Sequence, residues 1–278
     1  MNEPRHYNLD DLKQLMARLR DPQTGCPWDV EQSYRTIAPS TIEEAYEVVD
    51  AIEQGNLDHL KEELGDLLFQ VIFYSQIATE EKRFDLDQVI SGLVTKLIRR
   101  HPHVFPDNTL ESRADANRSS EQESMIKQRW EALKREERQA KGQSGLLDDI
   151  PLALPALTRA VKLQKRASSS GFDWPSIEGV IDKIEEELAE VKQAIGDQDQ
   201  AATREEFGDL LFAVVNGCRH QKVEPEGALR GTNQKFEQRF GYIEAELSKQ
   251  GISVEDASLD MMDALWDEAK LKLKQLND

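Results

Sequence analysis

The chain has 278 residues, of which 53 are acidic and 35 basic, so its formal net charge is −18. This balance argues against a protein that wraps duplex nucleic acid, because such binding depends on clustered Lys and Arg that neutralise phosphates. The length permits two ordinary domains, and the small numbers of Gly (15) and Pro (10) favour helices. We therefore expect a helical protein without a duplex nucleic-acid partner.

Targeting and membrane signals are weak in this sequence. Its two cysteines, Cys26 and Cys218, are too few for a disulfide framework, which favours a reducing compartment. The N-terminus lacks the basic and apolar regions of a signal peptide. The most apolar run, 67–78, has 12 residues, whereas a membrane span needs about 20. These features predict a cytoplasmic protein with no membrane partner.

A leucine-rich pattern near the N-terminus predicts a first helix, because its members share one helical face: Leu9, Leu12, Leu15, Met16 and Leu19. Ser40 and Thr41 each stand three residues before a glutamate. This spacing predicts overlapping capping boxes at the start of a second helix. Gly55 is the expected end of that helix.

A third, longer helix is predicted between Asn56, which can cap its N-terminus, and about Lys82. The side chains expected on its inner side are Leu57, Leu60, Leu64, Leu67, Leu68 and Val71. From 69 to 77 the segment is apolar nearly all round, which predicts burial on several sides. A fourth helix is expected from Leu86 to about Arg100, where a following proline ends it.

The second half of the chain predicts the same order of helices. We expect them near 176–195, 199–221, 225–249 and 256–276. The side chains of Phe212, Val214 and Val215 are expected in its core. No segment shows the alternation of a half-buried strand, so the predicted fold class is all-α, with two helical bundles in tandem.

The two halves repeat one another in sequence. The segment Glu-Glu-Leu-Gly-Asp-Leu-Leu-Phe at 62–69 recurs as Glu-Glu-Phe-Gly-Asp-Leu-Leu-Phe at 205–212, a shift of 143 residues. The same shift carries Glu-Glu-x-x-Glu at 43–47 onto 186–190. Two blocks at one offset indicate a duplicated domain.

The junction between the copies is predicted from composition. The segment 106–123 is polar and lacks an apolar period, which is typical of a loop inside the first copy. The glycines at 142–145 then end a helix around Trp130. We predict an N-terminal domain over 1–142 and a C-terminal domain over 143–278.

Each copy carries two pairs of acidic residues at helical spacing. Residues three apart on a helix project from one face. If the two helices pack antiparallel, as the short loop around Gly55 implies, four carboxylates converge in a small volume. In the first copy these are Glu44, Glu47, Glu63 and Asp66, and in the second copy they are Glu187, Glu190, Glu206 and Asp209.

The alternative is a solvated acidic face, which is the usual interpretation of a single Glu-x-x-Glu. Three observations favour a cation site instead. Acidic groups this close repel, and no lysine is interleaved among them. Glu63 and Asp66 share a helical sector with Gln70, Phe73 and Ile77, where facing carboxylates are costly unless a cation joins them. Finally, the pattern occurs twice.

The expected ligands are oxygen atoms, with no suitably placed His or Cys. This set predicts Mg²⁺, with Mn²⁺ as a possible substitute, rather than zinc. A di-iron carboxylate bundle would need Glu-x-x-His on facing helices. The one such spacing runs from Glu3 to His6 across Pro4. A helix-capping role for Glu43 and Glu44 remains an alternative.

Basic and aromatic residues provide candidate contacts for a phosphate substrate. Mg²⁺ held by few carboxylates keeps positions that substrate phosphates fill. Two Lys-x-x-x-Arg pairs can clamp phosphate oxygens or lie on an ordinary solvated face. In two Trp-x-x-x-Lys pairs the tryptophan can stack on a base or fill a core, and the lysine, one helical turn beyond it, can join a triphosphate site. The pairs are Lys96 with Arg100, Lys235 with Arg239, Trp130 with Lys134, and Trp266 with Lys270.

Glu-Glu-x-x-Glu followed sixteen residues later by Glu-x-x-Asp resembles the MazG family of all-α nucleoside triphosphate pyrophosphohydrolases. Further stretches resemble the two-domain bacterial members. They are Gly-Cys-Pro-Trp-Asp at 25–29, Arg-Arg-His-Pro-His-Val-Phe at 99–105, Asp-Asp-Ile-Pro at 148–151, Leu-Pro-Ala-Leu at 154–157 and Gly-Phe-Asp-Trp at 171–174. The likeness covers almost the whole chain outside 106–123.

The resemblance implies hydrolysis between the α- and β-phosphates of a nucleoside triphosphate, and helical domains that pair into four-helix cores in a homodimer. It assigns the metal ligands to Glu187, Glu190, Glu206 and Asp209, with Glu186 hydrogen-bonded nearby. It assigns nucleotide and phosphate contacts to Asn233, Lys235, Arg239, Trp266 and Lys270. It also implies that the C-terminal copy is the main catalytic one. The N-terminal copy keeps its four acids but has Val94 in place of the asparagine.

The hypothesis for catalysis follows from these roles. Metal ions bridge the α- and β-phosphates, and Glu186 or Glu187 orients a water for attack on the α-phosphorus. Lys235, Arg239 and Lys270 stabilise charge on the leaving diphosphate. The alternative from another class is a non-catalytic nucleotide- or metal-binding protein, or a helical scaffold.

Overall fold

The computed structural model describes residues 6–113 and 145–275 of the chain. Regular structure in these two ranges consists of ten α-helices and one 3₁₀ turn, and neither range contains a strand. The helices are α1 (Leu9–Leu19), α2 (Pro27–Glu31), α3 (Ala38–Glu53), α4 (Leu57–Glu80), α5 (Leu86–Arg100), α6 (Ala156–Ser168), α7 (Ile177–Gly196), α8 (Gln200–His220), α9 (Pro225–Lys249) and α10 (Leu259–Gln275), with the 3₁₀ turn at Val254–Asp256. The all-α prediction is confirmed.

The chain divides into two compact units, 1–134 and 135–278. The predicted boundary between 142 and 143 lies outside the described residues, as do Trp130, Lys134 and most of the 106–123 segment. The boundary therefore stays a prediction, and each unit is described by itself.

The first unit is built on the α3–α4 hairpin, with α1 and α5 packed against α4. The core lies where α1, α4 and α5 meet, and its buried side chains are Met16, Ile37, Ile72, Phe73, Ile77 and Leu86. Arg20 packs against this core, because its guanidinium lies over the Phe73 ring. Its Nη2 also lies 2.7 Å from Glu80 Oε2. The predicted first helix is α1, and Met16 from its apolar face is fully buried.

The second unit repeats this plan with the α7–α8 hairpin, against which α6 packs. A second hairpin, α9–α10, packs more lightly on α6 and α8. Gln164 of α6 donates from Nε2 to the backbone oxygen of Phe212 in α8 at 2.8 Å, which fixes the two helices to each other. Val180, Val191 and Leu247 are among its most buried side chains.

Most predicted helix boundaries agree with the structure. Asn56 caps α4, and its Oδ1 accepts a hydrogen bond from the backbone N of His59 at 3.1 Å. The helices α5 and α9 have the predicted bounds, and α7 and α8 differ from prediction by one residue at each end. Helical periodicity therefore located the two hairpins that carry the acidic residues.

The predicted capping boxes at Ser40 and Thr41 are wrong. Helix α3 begins two residues earlier, at Ala38, and Pro39 occupies its first turn, where a missing N–H costs nothing. Thr41 is therefore inside the helix, where its hydroxyl donates to the backbone oxygen of Ile37 at 3.2 Å. The last helix begins at Leu259 rather than 256, because the 3₁₀ turn precedes it.

The predicted inner side of α4 is also wrong in part. Leu57, Leu64, Leu68 and Val71 were expected on the inner side but are 76%, 50%, 42% and 41% exposed. In the second unit Val215 is buried as predicted, whereas Phe212 and Val214 are exposed. Each hairpin covers only one side of its long helix within its own unit. The other, apolar side of that helix is exposed among the described residues of its unit.

Within the described ranges, no helix combines the length and the apolar character that a membrane crossing requires.

Candidate metal centre

Tight turns make each acidic pair of helices antiparallel. Gly55 joins α3 to α4 with a φ of +68°, a left-handed conformation that glycine adopts without steric cost. Gln198 holds the equivalent place between α7 and α8 with a φ of +57°. In both turns the next residue donates its N–H back to the helix end, from Asn56 to Ala51 and from Asp199 to Ala194. The same turn geometry therefore sets both acidic pairs face to face.

The first cluster forms between α3 and α4. Carboxylate oxygens of Glu44, Glu63 and Asp66 all lie within 4.8 Å of one another. Burial raises the pKa of Glu44, and the negative charges of Asp66, Glu47 and Glu63 raise it further. Burial likewise raises the pKa of Glu63, which is 8% exposed, and Glu47 adds to this effect by charge and hydrogen bond. All four predicted acids are thus close enough to repel one another.

The second cluster forms between α7 and α8. Carboxylate oxygens of Glu187, Glu190 and Glu206 lie within 4.8 Å of one another, and Glu187 is only 5% exposed. The pKa of Glu206 is raised by burial and then by the charges of Glu190, Glu187 and Asp209. The structure therefore brings the four predicted acids of this copy together as well.

A divalent cation fits this donor set. Converging carboxylates that are partly buried and mutually repulsive are stabilised when a cation joins them. Carboxylate oxygens are also the ligands that Mg²⁺ and Mn²⁺ take in proteins. The three mutually close acids of each copy would hold the ion, with Glu47 and Asp209 at the edge.

One nitrogen-bearing side chain contacts an acid of each cluster, and the lysine of the second copy was not expected from the sequence. In the second copy Lys183 Nζ lies 2.6 Å from Glu187 Oε1 and 2.9 Å from Glu186 Oε1, so a lysine is interleaved after all. These carboxylates raise the pKa of Lys183. In the first copy His59 Nε2 lies 2.8 Å from Glu63 Oε1, but His59 does not belong to the group of mutually close carboxylates. Both the Lys183–Glu187 pair and the His59–Glu63 pair have the i,i+4 spacing of one helical turn. This spacing is visible in the sequence, so both contacts could have been predicted from it.

The candidate phosphate and base residues lie on the α9–α10 hairpin. The Arg239 guanidinium lies 5.3 Å from the centre of the Trp266 ring, so these two predicted residues contact each other. Asn233, Lys235 and Lys270 have exposed side chains, and Lys270 pairs with Asp267 at 2.9 Å rather than with Trp266. Among the described residues, no hydrogen bond or ion pair joins Lys235, Arg239 or Lys270 to the carboxylate cluster.

Phe236 belongs to this group and was missed in the sequence. Its ring lies 5.3 Å from the Trp266 ring and 6.0 Å from the Phe240 ring, and its side chain is 56% exposed. The feature of the sequence that could have identified Phe236 is its position between Lys235 and Arg239, two predicted phosphate contacts. In the first copy, Lys96 is exposed and Arg100 is half-buried on α5. Trp130 and Lys134, the other predicted nucleotide contacts of this copy, lie outside the described residues.

Fold and site together define a class of protein: an all-α tandem repeat in which each helical hairpin presents a converging set of carboxylates. The MazG nucleotide pyrophosphohydrolase domain matches this chain twice, over residues 32–105 and 176–242. These matches contain the α3–α4 and α7–α8 hairpins and extend over α5 and into α9. The chain belongs to the MazG family, which confirms the resemblance found in its sequence.

Three of the curated relatives match nearly the full length of the chain. The nucleoside triphosphate pyrophosphohydrolase of Escherichia coli (strain K12) is 48% identical over 266 residues, which cover 94% of this chain and 97% of the relative. The nucleoside triphosphate pyrophosphohydrolase/pyrophosphatase MazG of Thermotoga maritima is 43% identical over 262 residues, 94% of this chain and 95% of the relative. The uncharacterized protein YabN of Bacillus subtilis is 40% identical over 266 residues, 95% of this chain and 52% of that protein.

Proposed function

We propose that this protein is a Mg²⁺-dependent nucleoside triphosphate pyrophosphohydrolase that releases a nucleoside monophosphate and diphosphate. The observation that supports this proposal most directly is the cluster of Glu187, Glu190 and Glu206 on the α7–α8 hairpin, with Asp209 beside it. Two relatives that match the chain over almost its whole length are named for this activity. We assign catalysis to the C-terminal copy, because its described residues also include the basic and aromatic group on α9 and α10.

Glu187, Glu190, Glu206 and Asp209 would hold the metal. Bound there, Mg²⁺ would lower the pKa of water and neutralise phosphate charge, and Mn²⁺ would substitute for it. Glu187 is too buried and too close to the other acids to serve mainly as a base. Glu186 is exposed, and Lys183 restrains its Oε1. We therefore assign Glu186 to orient the attacking water and accept its proton.

The basic residues of α9 and α10 act on the other side of the reaction. Charge builds on the leaving diphosphate as the bond to the α-phosphorus breaks, and Lys235, Arg239 and Lys270 would stabilise that charge. Arg239 lies over the Trp266 ring, which restrains its guanidinium plane and leaves its edge N–H groups for phosphate oxygens. Trp266 would stack on the base, and Asn233 would contact the nucleotide.

We also propose a homodimer in the cytoplasm. The support for dimerisation is the open apolar side of α4 and α8, where Leu68 and Leu211 occupy equivalent positions and are 42% and 57% exposed. Exposed apolar surface of this kind is typical of a protein interface. The support for the cytoplasm is that Cys26 and Cys218 are free thiols, because thiols stay reduced in that compartment.

The competing candidate is a scaffold in which the acids only solvate and cap helices. Thermal unfolding separates the two, because a ligand that binds only the folded state raises the melting temperature by mass action. Mg²⁺ with a non-hydrolysable nucleoside triphosphate analogue should raise it. Glu206→Gln should reduce the Mg²⁺-dependent part of the shift, because it removes a ligand of one of the two clusters, whereas a scaffold would show no shift in either protein.

A further inference from the structure

A charged network closes the open end of the α7–α8 hairpin, away from the turn that joins the two helices. The carboxylate of Asp173, in the segment that leads into α7, accepts hydrogen bonds from Arg219 Nη2 and, at 3.1 Å, from His220 Nε2. The side chains of Asp173, Arg219 and His220 are 24%, 15% and 14% exposed. Asn216 also holds the guanidinium, because its Oδ1 accepts from Arg219 Nε at 3.0 Å. The Asp173 network, made by Asp173, Arg219 and His220, therefore joins the segment before α7 to the C-terminal end of α8.

Close packing at the same end leaves little room between α7 and α8. A Cβ at Gly217 of α8 would lie 3.5 Å from Ile184 Cδ1 and 3.9 Å from Val180 Cγ1, and Val180 is fully buried. Trp174 covers the first turn of α7 so closely that a Cβ at Gly179 would come within 2.8 Å of its Cε3. The two helices are thus held together at this end, whereas a tight turn joins them at the other end.

The first copy has an equivalent link that is made by different residues. Arg20, at the end of α1, donates from Nη1 to the backbone oxygen of Gln32 at 3.2 Å, in the segment that leads into α3. Its Nη2 lies 2.7 Å from Glu80 Oε2 at the end of α4, and Arg20 is only 8% exposed. In both copies a largely buried arginine therefore links the segment before the first acidic helix to the end of the second. This recurrence with different side chains indicates a shared requirement of the two hairpins.

The requirement follows from the carboxylates that each hairpin carries halfway along its length. In the second copy, burial and the charges of Glu190, Glu187 and Asp209 raise the pKa of Glu206. Repulsion of this kind favours separation of α7 from α8 when no cation is bound. The turn prevents separation at one end of the hairpin, and the Asp173 network opposes it at the other. The carboxylates are then already close to one another when a cation arrives.

We propose that Asp173 is a positioning residue of the second metal site, which acts through Arg219 to keep α7 and α8 together before Mg²⁺ binds. A site that is competent in only a fraction of the molecules has an apparent dissociation constant raised by the inverse of that fraction. Loss of the Asp173 network should therefore weaken Mg²⁺ binding, whereas saturating Mg²⁺ should restore the closed hairpin and full turnover. The inference rests on the proposed function for its rate measurement, and direct Mg²⁺ titration tests it without hydrolysis.

The test measures how hydrolysis by the full chain depends on free Mg²⁺ in Asp173→Ala. We expect the half-maximal Mg²⁺ concentration to rise about tenfold, which corresponds to a closed fraction of about one tenth, with the rate at saturating Mg²⁺ within about twofold of wild type. Isothermal titration of Mg²⁺ should give the same shift in a background where Glu44→Gln and Asp66→Asn remove the first cluster. Asp173→Glu should recover part of the affinity, because it restores a carboxylate.

Two further variants separate positioning from a general loss of stability. The matched change in the first copy is Glu80→Ala, which removes the carboxylate that pairs with Arg20. It should weaken Mg²⁺ binding at the first cluster and leave the Mg²⁺ dependence of hydrolysis unchanged, because catalysis is assigned to the second copy. Arg219→Met combined with Asp173→Ala should raise the half-maximal Mg²⁺ concentration no further than the larger single change, because both remove one contact.

Circular dichroism without Mg²⁺ checks that each variant folds. If Asp173→Ala does not fold, His220→Gln decides the question, because it weakens one of the two contacts of Asp173 and should raise the half-maximal Mg²⁺ concentration about twofold.

The inference is overturned if folded Asp173→Ala binds Mg²⁺ as tightly as the wild type, because the network would then contribute to stability alone. It is also overturned if the rate at saturating Mg²⁺ falls while the half-maximal Mg²⁺ concentration stays unchanged. A wild-type protein that binds Mg²⁺ without hydrolysing nucleoside triphosphates would contradict the proposed function, and the titration of Asp173→Ala would still decide this inference.

Discussion

At the scale of single residues, three of the clustered carboxylates have perturbed pKa values. Burial and neighbouring charge raise the pKa of Glu44, Glu63 and Glu206. A raised pKa means that the protonated form favours the fold, and that this contribution is lost as pH rises through the folded pKa. The metal-free protein is therefore destabilised by repulsion at neutral pH, where a cation would relieve it.

Mg²⁺ should therefore stabilise the protein more at neutral pH than near the ordinary glutamate pKa of 4.5. We expect a rise in melting temperature of several degrees at about pH 7.5 and a much smaller rise at about pH 4.5, measured by differential scanning calorimetry. In the metal-free protein at about pH 7.5, Glu206→Gln should raise the melting temperature. A Mg²⁺ shift of equal size at both pH values would contradict the charge account.

Equivalent acids in the two copies should differ in their effect on catalysis. Glu206→Gln should lower the hydrolysis rate at least about a hundredfold, because it removes a metal ligand that stabilises transition-state charge. The matched change Glu63→Gln, 143 residues earlier, should retain most of the activity. Steady-state assays with saturating Mg²⁺ check both variants, and the reverse pattern would place catalysis in the first copy.

The contact between Arg239 and Trp266 predicts that lysine cannot replace this arginine. Lysine keeps the charge but loses the planar stack and the two-pronged phosphate contact. We expect Arg239→Lys to raise the KM for the nucleotide roughly tenfold. Lys249→Ala, at the far end of α9 and paired with Glu246, is the control and should leave KM unchanged. An unaltered KM in Arg239→Lys would remove this residue from the binding group.

At the scale of the helical elements, the equivalent turns at Gly55 and Gln198 give a matched stability test. Both residues have left-handed backbone, and a side chain there costs about 1 kcal/mol. Gln198→Gly should stabilise the protein by about 0.5–1 kcal/mol, and Gly55→Ala should destabilise it by about 1 kcal/mol. No atom lies within 4 Å of the Cβ position at Gly55, so the effect is conformational. Chemical denaturation measures both, and equal signs would contradict the turn assignment.

The long helices and the carboxylate clusters were predictable from the sequence, because both depend on the regular spacing of residues along a helix. Periodicity gives the long helices, and a three-residue spacing on facing helices makes Glu187 and Glu190 converge. The five-residue helix α2 was missed because it is shorter than two turns. Helix α6 was missed although it is 13 residues long. Lys183 and His59 were missed because a basic residue four positions before a glutamate is normally a solvated pair.

The arrangement of the nucleotide group could not be predicted, for a different reason. Whether Phe236 and Arg239 meet Trp266 depends on how α9 packs against α10, and helical spacing within α9 does not determine that packing. The exposed side of α4 was likewise misassigned. Apolar periodicity shows that a face must be covered but does not show whether the cover comes from the same chain.

At the scale of the whole molecule, the open apolar faces of α4 and α8 predict a dimer that a single charge disrupts. Leu68→Glu and Leu211→Glu occupy equivalent positions in the two copies. Each would bury a charge in the proposed interface and should shift the mass measured by light scattering from dimer toward monomer. Gln221→Glu at the exposed end of α8 controls for charge alone. A monomeric wild-type protein would contradict the proposed assembly.

In the proposed reaction, water attacks the α-phosphorus of a nucleoside triphosphate, and the reaction depends on Mg²⁺. The most direct measurement is hydrolysis of a nucleoside triphosphate in ¹⁸O-labelled water, with products resolved by mass spectrometry. We expect one labelled oxygen in the nucleoside monophosphate, unlabelled diphosphate, and no reaction without a divalent cation. Label in the diphosphate, or formation of nucleoside diphosphate and inorganic phosphate, would contradict it.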